Sequence, residues 1–379
     1  MSKKILITGG SGFIGTNLSL KLISKGYQIT VLDNLSEQIH GNDPGSSSLY
    51  SQIKNKVRFI NGDVRNRDDW TNALKGQEIV VHFAAETGTG QSMYEIEKYT
   101  DVNIKGTAIL LDLLANNKEH KVEKIIIASS RSIYGEGKYE CSEHGIIYPK
   151  ERKEEDMLNK DFAVKCPMCN QDAVLLATDE FSKIHPSSIY GLTKQAQEEM
   201  CMIVGKSLKI PVVAFRYQNV YGPGQSLSNP YTGILSIFST RIMNGNDINI
   251  FEDGLETRDF VYIDDVVDAT ILGIEKQSAN YNIYNVGSGV RTSVMEVTET
   301  LVKEYGSNSK YSVSGNFRIG DIRDNYADLE KIKNDLGFEP KIKFKEGIRR
   351  FCKWVSSQEV ENDAYNKSII EMKDKGLLK

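Results

Sequence analysis

A chain of 379 residues with 40 % apolar and 26 % charged side chains and a net charge of -4 can bury a sizeable core in one large domain or in two. It lacks the basic excess that binding a phosphate backbone demands, which argues against nucleic acid as a partner. No apolar run nears the roughly 20 residues that cross a bilayer, and the glycines of MSKKILITGG end the first run too soon for a signal peptide. No membrane partner is expected, and the cytoplasm is the expected compartment.

In chain order, β-branched runs alternate with amphipathic stretches. The pattern predicts a strand at 4–8 (KILIT), a helix at about 13–25, strands at 28–33 (QITVLD), 57–62 (VRFING) and 78–84 (EIVVHFA), a helix near 92–116 and a strand at 123–130 (EKIIIASS). Strands apolar at nearly every position are buried on both faces, as in a parallel sheet covered by helices. The expected fold is therefore α/β, a Rossmann-type doubly wound parallel sheet. Residues 136–186 break the rhythm with a charged, cysteine-bearing stretch, and a helix at 189–207 with a buried strand at 211–217 (PVVAFRY) restores it. The expected domains are 1–217, interrupted by a small insertion at 138–177, and a smaller α/β substrate-binding domain at 218–379. Part of the latter, about 240–275, is expected to return to the first domain. The last 20 residues or so look like a polar helical tail.

Thr8-Gly9-Gly10-Ser11-Gly12-Phe13-Ile14-Gly15 joins the first strand to the first helix, the context a dinucleotide fingerprint requires. Gly9 permits the tight turn, Gly12 admits a pyrophosphate to the backbone, and Gly15 allows helix and strand to pack closely. Phe13 and Ile14 open the helix at the same site. Asp33 ends the second strand, where a carboxylate accepts hydrogen bonds from an adenosine ribose and repels a 2′-phosphate. NAD is the expected cofactor, a helix or turn cap being the alternative role for Asp33. Asn34 follows it. Asp63, with Val64 after the third strand, can reach the adenine, unless it is an exposed turn aspartate.

Tyr190 and Lys194 lie four apart at the start of a predicted helix and share a face. A phenol with a pKa of about 10 is a poor base, and a neighbouring ammonium stabilises its phenolate. Ser130 ends the fifth strand, at the carboxyl edge where such sheets bind ligands, and its hydroxyl can hold an oxygen undergoing oxidation. Between Tyr134 and Tyr190 lie 55 residues that include Cys141-x-x-His144 and, 21 residues further on, Cys166-x-x-Cys169. Three thiolates and an imidazole close a tetrahedral zinc site with no open position, so a structural Zn2+ is expected, unliganded cysteines being the alternative. Cys201 and Cys352 stand apart and are expected in the core.

TGGSGFIG, VLDN, GDVR, HFAAE, NIKGT, ASSRSIYG, YGLTK, RYQNVYGPG, RDFVYIDDV, YNVGSG and RIGDIRDNYAD follow one another along the chain. On these motifs the sequence resembles, over nearly its whole length, the extended short-chain dehydrogenases/reductases of the NAD-dependent sugar epimerase/dehydratase family. The resemblance implies Ser130, Tyr190 and Lys194 as catalytic triad, Ala84 and Ala85 in the nicotinamide pocket, and Asn103 as support for the active-site helix. It further implies Asn219, Arg258 and Arg323 as ligands of a nucleotide-diphosphate sugar. Glu86, Thr87 and Gln91 fall near the sugar, although residues 87–90 serve equally as a flexible loop. Dehydratases of the family place Asp-Glu after the serine, whereas this chain has Arg131-Ser132, counted here among the sugar contacts. That departure favours a 4-epimerase, with a 4,6-dehydratase, a 4-keto reductase or a non-catalytic NAD-sensing protein as alternatives. The insertion is similar to one in family members that act on dTDP-deoxyhexoses such as dTDP-L-rhamnose. Relatives are homodimers, which implies a homodimer built on the helices near 92–116 and 189–207.

Overall fold

In the first strand, β1 (Lys4–Thr8), Ile5 and Ile7 enter one apolar layer and Leu6 enters another, all three fully buried. The computed structural model describes residues 3–229, 231, 233–360, 363 and 365–379. The same division recurs in β2 (Gln28–Asp33), β4 (Ile79–His82), β5 (Lys124–Ser130) and β6 (Val212–Tyr217), following β3 (Arg58–Asn61) in its place along the chain. A period-two pattern buried on both sides gives the two-layer cover that the continuous apolar runs require. The helix α1 (Phe13–Ser24) lies on one face, and α2 (Gly106–Asn116) and α3 (Ile189–Leu208) lie on the other. A later helix, α4 (Ile263–Glu275), joins α1, and β7 (Asn282–Val286) completes the sheet. Every pairing is parallel, in the order β7-β6-β5-β4-β1-β2-β3. Strand order reverses between β1 and β4, which opens a crevice at their carboxyl ends.

The predicted helix near 92–116 is broken into short helices at Thr89–Ser92 and Ile96–Tyr99, a π-helical turn at Thr100–Lys105, and α2. The widened turn carries Asn103, which is fully buried and bonded to α3. Within the segment expected at about 240–275, the helix Ile263–Glu275 packs on the sheet, and β7 at Asn282–Val286 follows it there. The helix Ile234–Met243 and strand Ile248–Ile250 belong to the smaller unit, where the strand pairs with Tyr311–Val313. That unit also holds a four-stranded sheet around Thr257–Tyr262 and the helices Val294–Tyr305 and Phe344–Val355.

The insertion is a three-stranded antiparallel sheet, Tyr139–Cys141 flanked by Gly145–Ile147 and Val174–Leu175, over a core of Tyr139, Cys141, Ile147, Val164 and Cys166. The final segment is helical, as its composition suggests, and it is packed against the rest of the protein. Helix α5 (Tyr365–Asp374) buries Ser368 and Met372, and residues 377–379 pair with 317–319. Among the described residues no helix is long and apolar enough to cross a membrane.

Candidate active site

The loop after β1 is shaped by contact. Gly9 has φ +65°, and a Cβ there would meet Ala84 N at 2.7 Å; a Cβ on Gly15 would meet Gly9 O at 2.3 Å. Gly12 caps α1, and with Phe13 and Ile14 it remains half-buried at the helix start, where backbone N–H groups face outward. Ala84, just beyond β4, donates to Thr8 Oγ1, which brings the 84–85 segment against this loop. Asp33 accepts from Ser11 N and Leu35 N at 2.9 Å each, so it braces the loop while each oxygen keeps capacity for a second donor. Burial pushes its pKa up, and those two N–H groups pull it down. Asn34 donates to Asp63 at 3.0 Å; burial raises the Asp63 pKa, but Arg65 and Asn34 outweigh it and hold the carboxyl at about 2. Val64 packs its side chain in the core against Gly106, and its carbonyl accepts from Trp70 Nε1.

Ser130, Arg131, Ser132 and Tyr190 line one cavity of about 350 Å3 at the carboxyl edge of the sheet. Ser188 caps α3 by accepting from Gly191 N. At Gly191 a Cβ would meet Ser132 O at 2.7 Å, so the glycine lets the tyrosine turn approach the serine strand. Ser130 accepts from Ser132 Oγ at 2.8 Å and hydrogen-bonds Tyr190. Burial pushes the Tyr190 pKa up; the Ser130 hydroxyl and the Arg131 charge pull it down. The Arg131 guanidinium, beside Tyr190 in the cavity, is a cation whose charge acts on the phenol. Lys194 is buried, donates to Gln197 Oε1 at 2.8 Å, and burial brings its pKa down to about 8.

From Gln197 a buried chain of hydrogen bonds continues through Thr107 and His82 to Thr8 at the end of β1. Burial takes the His82 pKa down to about 3, so the ring bridges the two hydroxyls as a neutral donor and acceptor. Sequence spacing gives no hint of this chain, whose Gln197 and Thr107 are 90 residues apart. Asn103 accepts from Glu86 N and donates to Thr193 Oγ1 at 3.0 Å, tying the 86 loop to α3.

The far wall of the cavity carries Asn219, Arg258 and Arg318, with Thr87 at its mouth. Arg323 lies elsewhere: its guanidinium is held by Glu252 and Asp253 at 2.7 Å, and it does not line the cavity. Arg318, five residues earlier on the irregular segment 314–323, does line it. Glu86 and Gln91 line an adjoining cleft with Asn34 and Arg65, where Glu86 pairs with Lys98 and Gln91 accepts from Gln38. They therefore lie beside the Asn34 end of β2, outside the cavity that Ser130 and Tyr190 line. Gln218 Nε2 and Oε1, Asn219 Oδ1, Gln225 Oε1 and Arg131 Nη1 are buried there without hydrogen-bond partners. Each costs ~1–3 kcal/mol unless a ligand satisfies it, so the cavity suits a polar guest that both donates and accepts hydrogen bonds.

Cys141, His144, Cys166 and Cys169 converge with their ligand atoms all within 4.8 Å of one another. Cys141 Sγ lies 3.5 Å from His144 Nδ1 and 3.6 Å from Cys169 Sγ, close to the edges of a tetrahedron about a metal with bonds of ~2.0–2.3 Å. All five cysteines are free thiols, and Cys201 and Cys352 are buried.

Fold, fingerprint loop and tyrosine-bearing helix together define a Rossmann-type enzyme scaffold with a polar cavity beside its dinucleotide crevice. The NAD dependent epimerase/dehydratase family model matches residues 5–157 and 170–287, and the chain belongs to that family. The unmatched residues 158–169 contain Cys166 and Cys169. A dTDP-L-rhamnose 4-epimerase of Burkholderia thailandensis is 36 % identical over 360 residues, covering 94 % of this chain and 96 % of that one. Among solved structures, the Thermotoga maritima UDP-glucose 4-epimerase with UDP-glucose is similar at TM-score 0.74 and 28 % identity, covering 93 % of this chain and 98 % of its own. The Thermus thermophilus UDP-glucose 4-epimerase, in complex with NAD, is similar at TM-score 0.73 and 25 % identity, covering 94 % and 100 %.

Proposed function

We propose that this protein is an NAD-dependent nucleotide-sugar 4-epimerase whose substrate is a dTDP-deoxyhexose such as dTDP-L-rhamnose. The observation that carries the reading is the cavity itself, where Ser130 and Tyr190 stand beside the crevice and Arg131-Ser132 occupy the two positions that dehydration would fill with carboxylates. The 36 % identical 4-epimerase supports both the reaction and the sugar.

Bound NAD supplies reversible hydride transfer at C4. Ser130 holds the C4 oxygen and Tyr190 takes its proton as the alcohol becomes a ketone. The 4-keto sugar turns about its diphosphate tether, which Asn219, Arg258 and Arg318 hold, and Tyr190 returns the proton once hydride arrives on the opposite face. Asp33 favours NAD over NADP, and Lys194, set on the tyrosine helix, is placed for the nicotinamide ribose.

The Cys/His cluster fits structural zinc, with Cys141, His144, Cys166 and Cys169 as ligands and no position left for substrate. Free thiols throughout agree with a reducing, cytoplasmic setting. The outward Leu192 (50 % exposed) and Ile203 (66 % exposed) on α3 support a homodimer through that helix. The function is tested by following dTDP- and UDP-sugars with NAD by NMR. C4 epimers should form without net NADH, and Tyr190→Phe should lower kcat by about 10²–10⁴-fold. Loss of water at C6, or consumption of NADH, would overturn the 4-epimerase.

A further inference from the structure

The function proposed above leaves the Cys/His insertion with no task, yet its contacts lead to the substrate cavity. Arg152, on the insertion between its second strand and its short helix, is 3 % exposed at the side chain. It grips Glu252 with both terminal nitrogens, at 2.8 Å each, and donates through Nη2 to Asp321 O at 3.1 Å. Its Nε stands 3.4 Å from Glu136 Oε1, on the segment that follows the serine strand. Glu252 and Asp321 both line the cavity, and Asp321 pairs with Arg318 at 3.2 Å.

Two more contacts from the insertion reach the same wall. Lys160 donates to Gly315 O at 2.8 Å, and Phe162 packs edge-on against Phe317, the residue before Arg318, within a small cluster completed by Met157. Phe317 in turn exchanges backbone hydrogen bonds with Lys379. The segment 315–321 has no regular helix of its own to fix it; what holds its Arg318 towards the cavity is the insertion on one side and the end of the chain on the other.

We propose that the insertion is a scaffold for the substrate site, and that Arg152 is a positioning residue that sets the 251–252 and 318–321 segments for the diphosphate of a nucleotide sugar. A guanidinium suits this task because its planar fork fixes two carboxylate oxygens and a carbonyl at once, which a single ammonium cannot do. The role rests on the nucleotide-sugar reading but not on the metal, because every contact named belongs to protein groups.

The test is Arg152→Lys in the full chain, which keeps the buried charge and removes the fork. Binding of UDP and dTDP is measured by calorimetry, alongside KM, kcat, bound NAD and the thermal midpoint. The expected result is a rise of about tenfold in both Kd and KM, equal to ~1.4 kcal/mol, with kcat within about threefold of the parent and NAD retained. A folded variant with parental Kd overturns the proposal. Should that variant not fold, hydrogen exchange on the parent chain decides: 315–321 must exchange faster once the insertion is opened by a chelator or, if metal analysis finds none, by alkylating its cysteines. Unchanged exchange there also overturns it. If no turnover is found with any nucleotide sugar while the diphosphates still bind through Arg152, the epimerase reading fails and the scaffold stands.

Discussion

Tyr190 needs to lose a proton in a place that disfavours its charge. Burial raises its pKa, and the Ser130 hydrogen bond and the Arg131 charge pull the other way. Tyr99 meets it edge-on, and Lys194, on its own helix, donates to Gln197. Arg131 is therefore a group that keeps the phenolate within reach. Removing that cation raises the Tyr190 pKa further, so the acidic limb of the kcat profile, where phenolate is lost, moves to higher pH in Arg131→Met. Activity at high pH should be largely retained while activity near pH 7 falls by about tenfold or more. A kcat–pH profile checks this, and a limb that stays in place would assign the ionisation elsewhere. The placement of Ser130 at a strand end and of Tyr190 and Lys194 at a helix start was legible in the sequence because local pattern fixes both elements. That Arg131 acts on Tyr190, and that Arg318 rather than Arg323 lines the cavity, was not, because both depend on which way irregular backbone turns a side chain.

At the scale of elements, the strands were the easiest to foresee, since residues buried on both faces leave an unbroken apolar run. The helix near 92–116 was harder. Its apolar pattern continues through the π-helical turn that carries Asn103, and only the bond to Thr193 on α3 shows why the turn is widened. The spacing of the insertion's cysteines revealed a ligand set, but its docking did not show, because Arg152 and Glu252 are 100 residues apart. With so few core residues, the insertion is expected to depend on the zinc proposed for its Cys/His cluster, since zinc modules supply on the order of 10 kcal/mol. Metal analysis should find about one zinc per chain. Chelation should then expose the thiols of Cys141, Cys166 and Cys169 to a thiol reagent, while Cys201 and Cys352 stay protected until global unfolding. Full thiol reactivity before chelation would remove zinc from the account.

The whole molecule closes over its site with residues 365–379, whose polar composition showed a helix but not where it packs. Tyr365, Ile369, Met372 and Leu377 line the sugar cavity, and Lys367 and Glu371 line the adjoining cleft with Asn34 and Arg65. Glu371 accepts from Tyr231, Arg241 pairs with Asp363 at 3.0 Å, and residues 377–379 pair with 317–319. One segment therefore touches both the wall that carries Arg318 and the cleft that Asn34 lines, next to Asp33 in the chain, and its removal should be felt at both ligands. A chain ending at residue 358 is expected to raise KM for the nucleotide sugar by about tenfold and to lose NAD on gel filtration. Arg152→Lys acts on one wall only, and should raise KM while keeping NAD. Measuring bound NAD and KM for the two proteins side by side separates closure by the tail from positioning by the insertion. A truncated chain that keeps both its NAD and its parental KM would show that the tail covers the site without contributing to it.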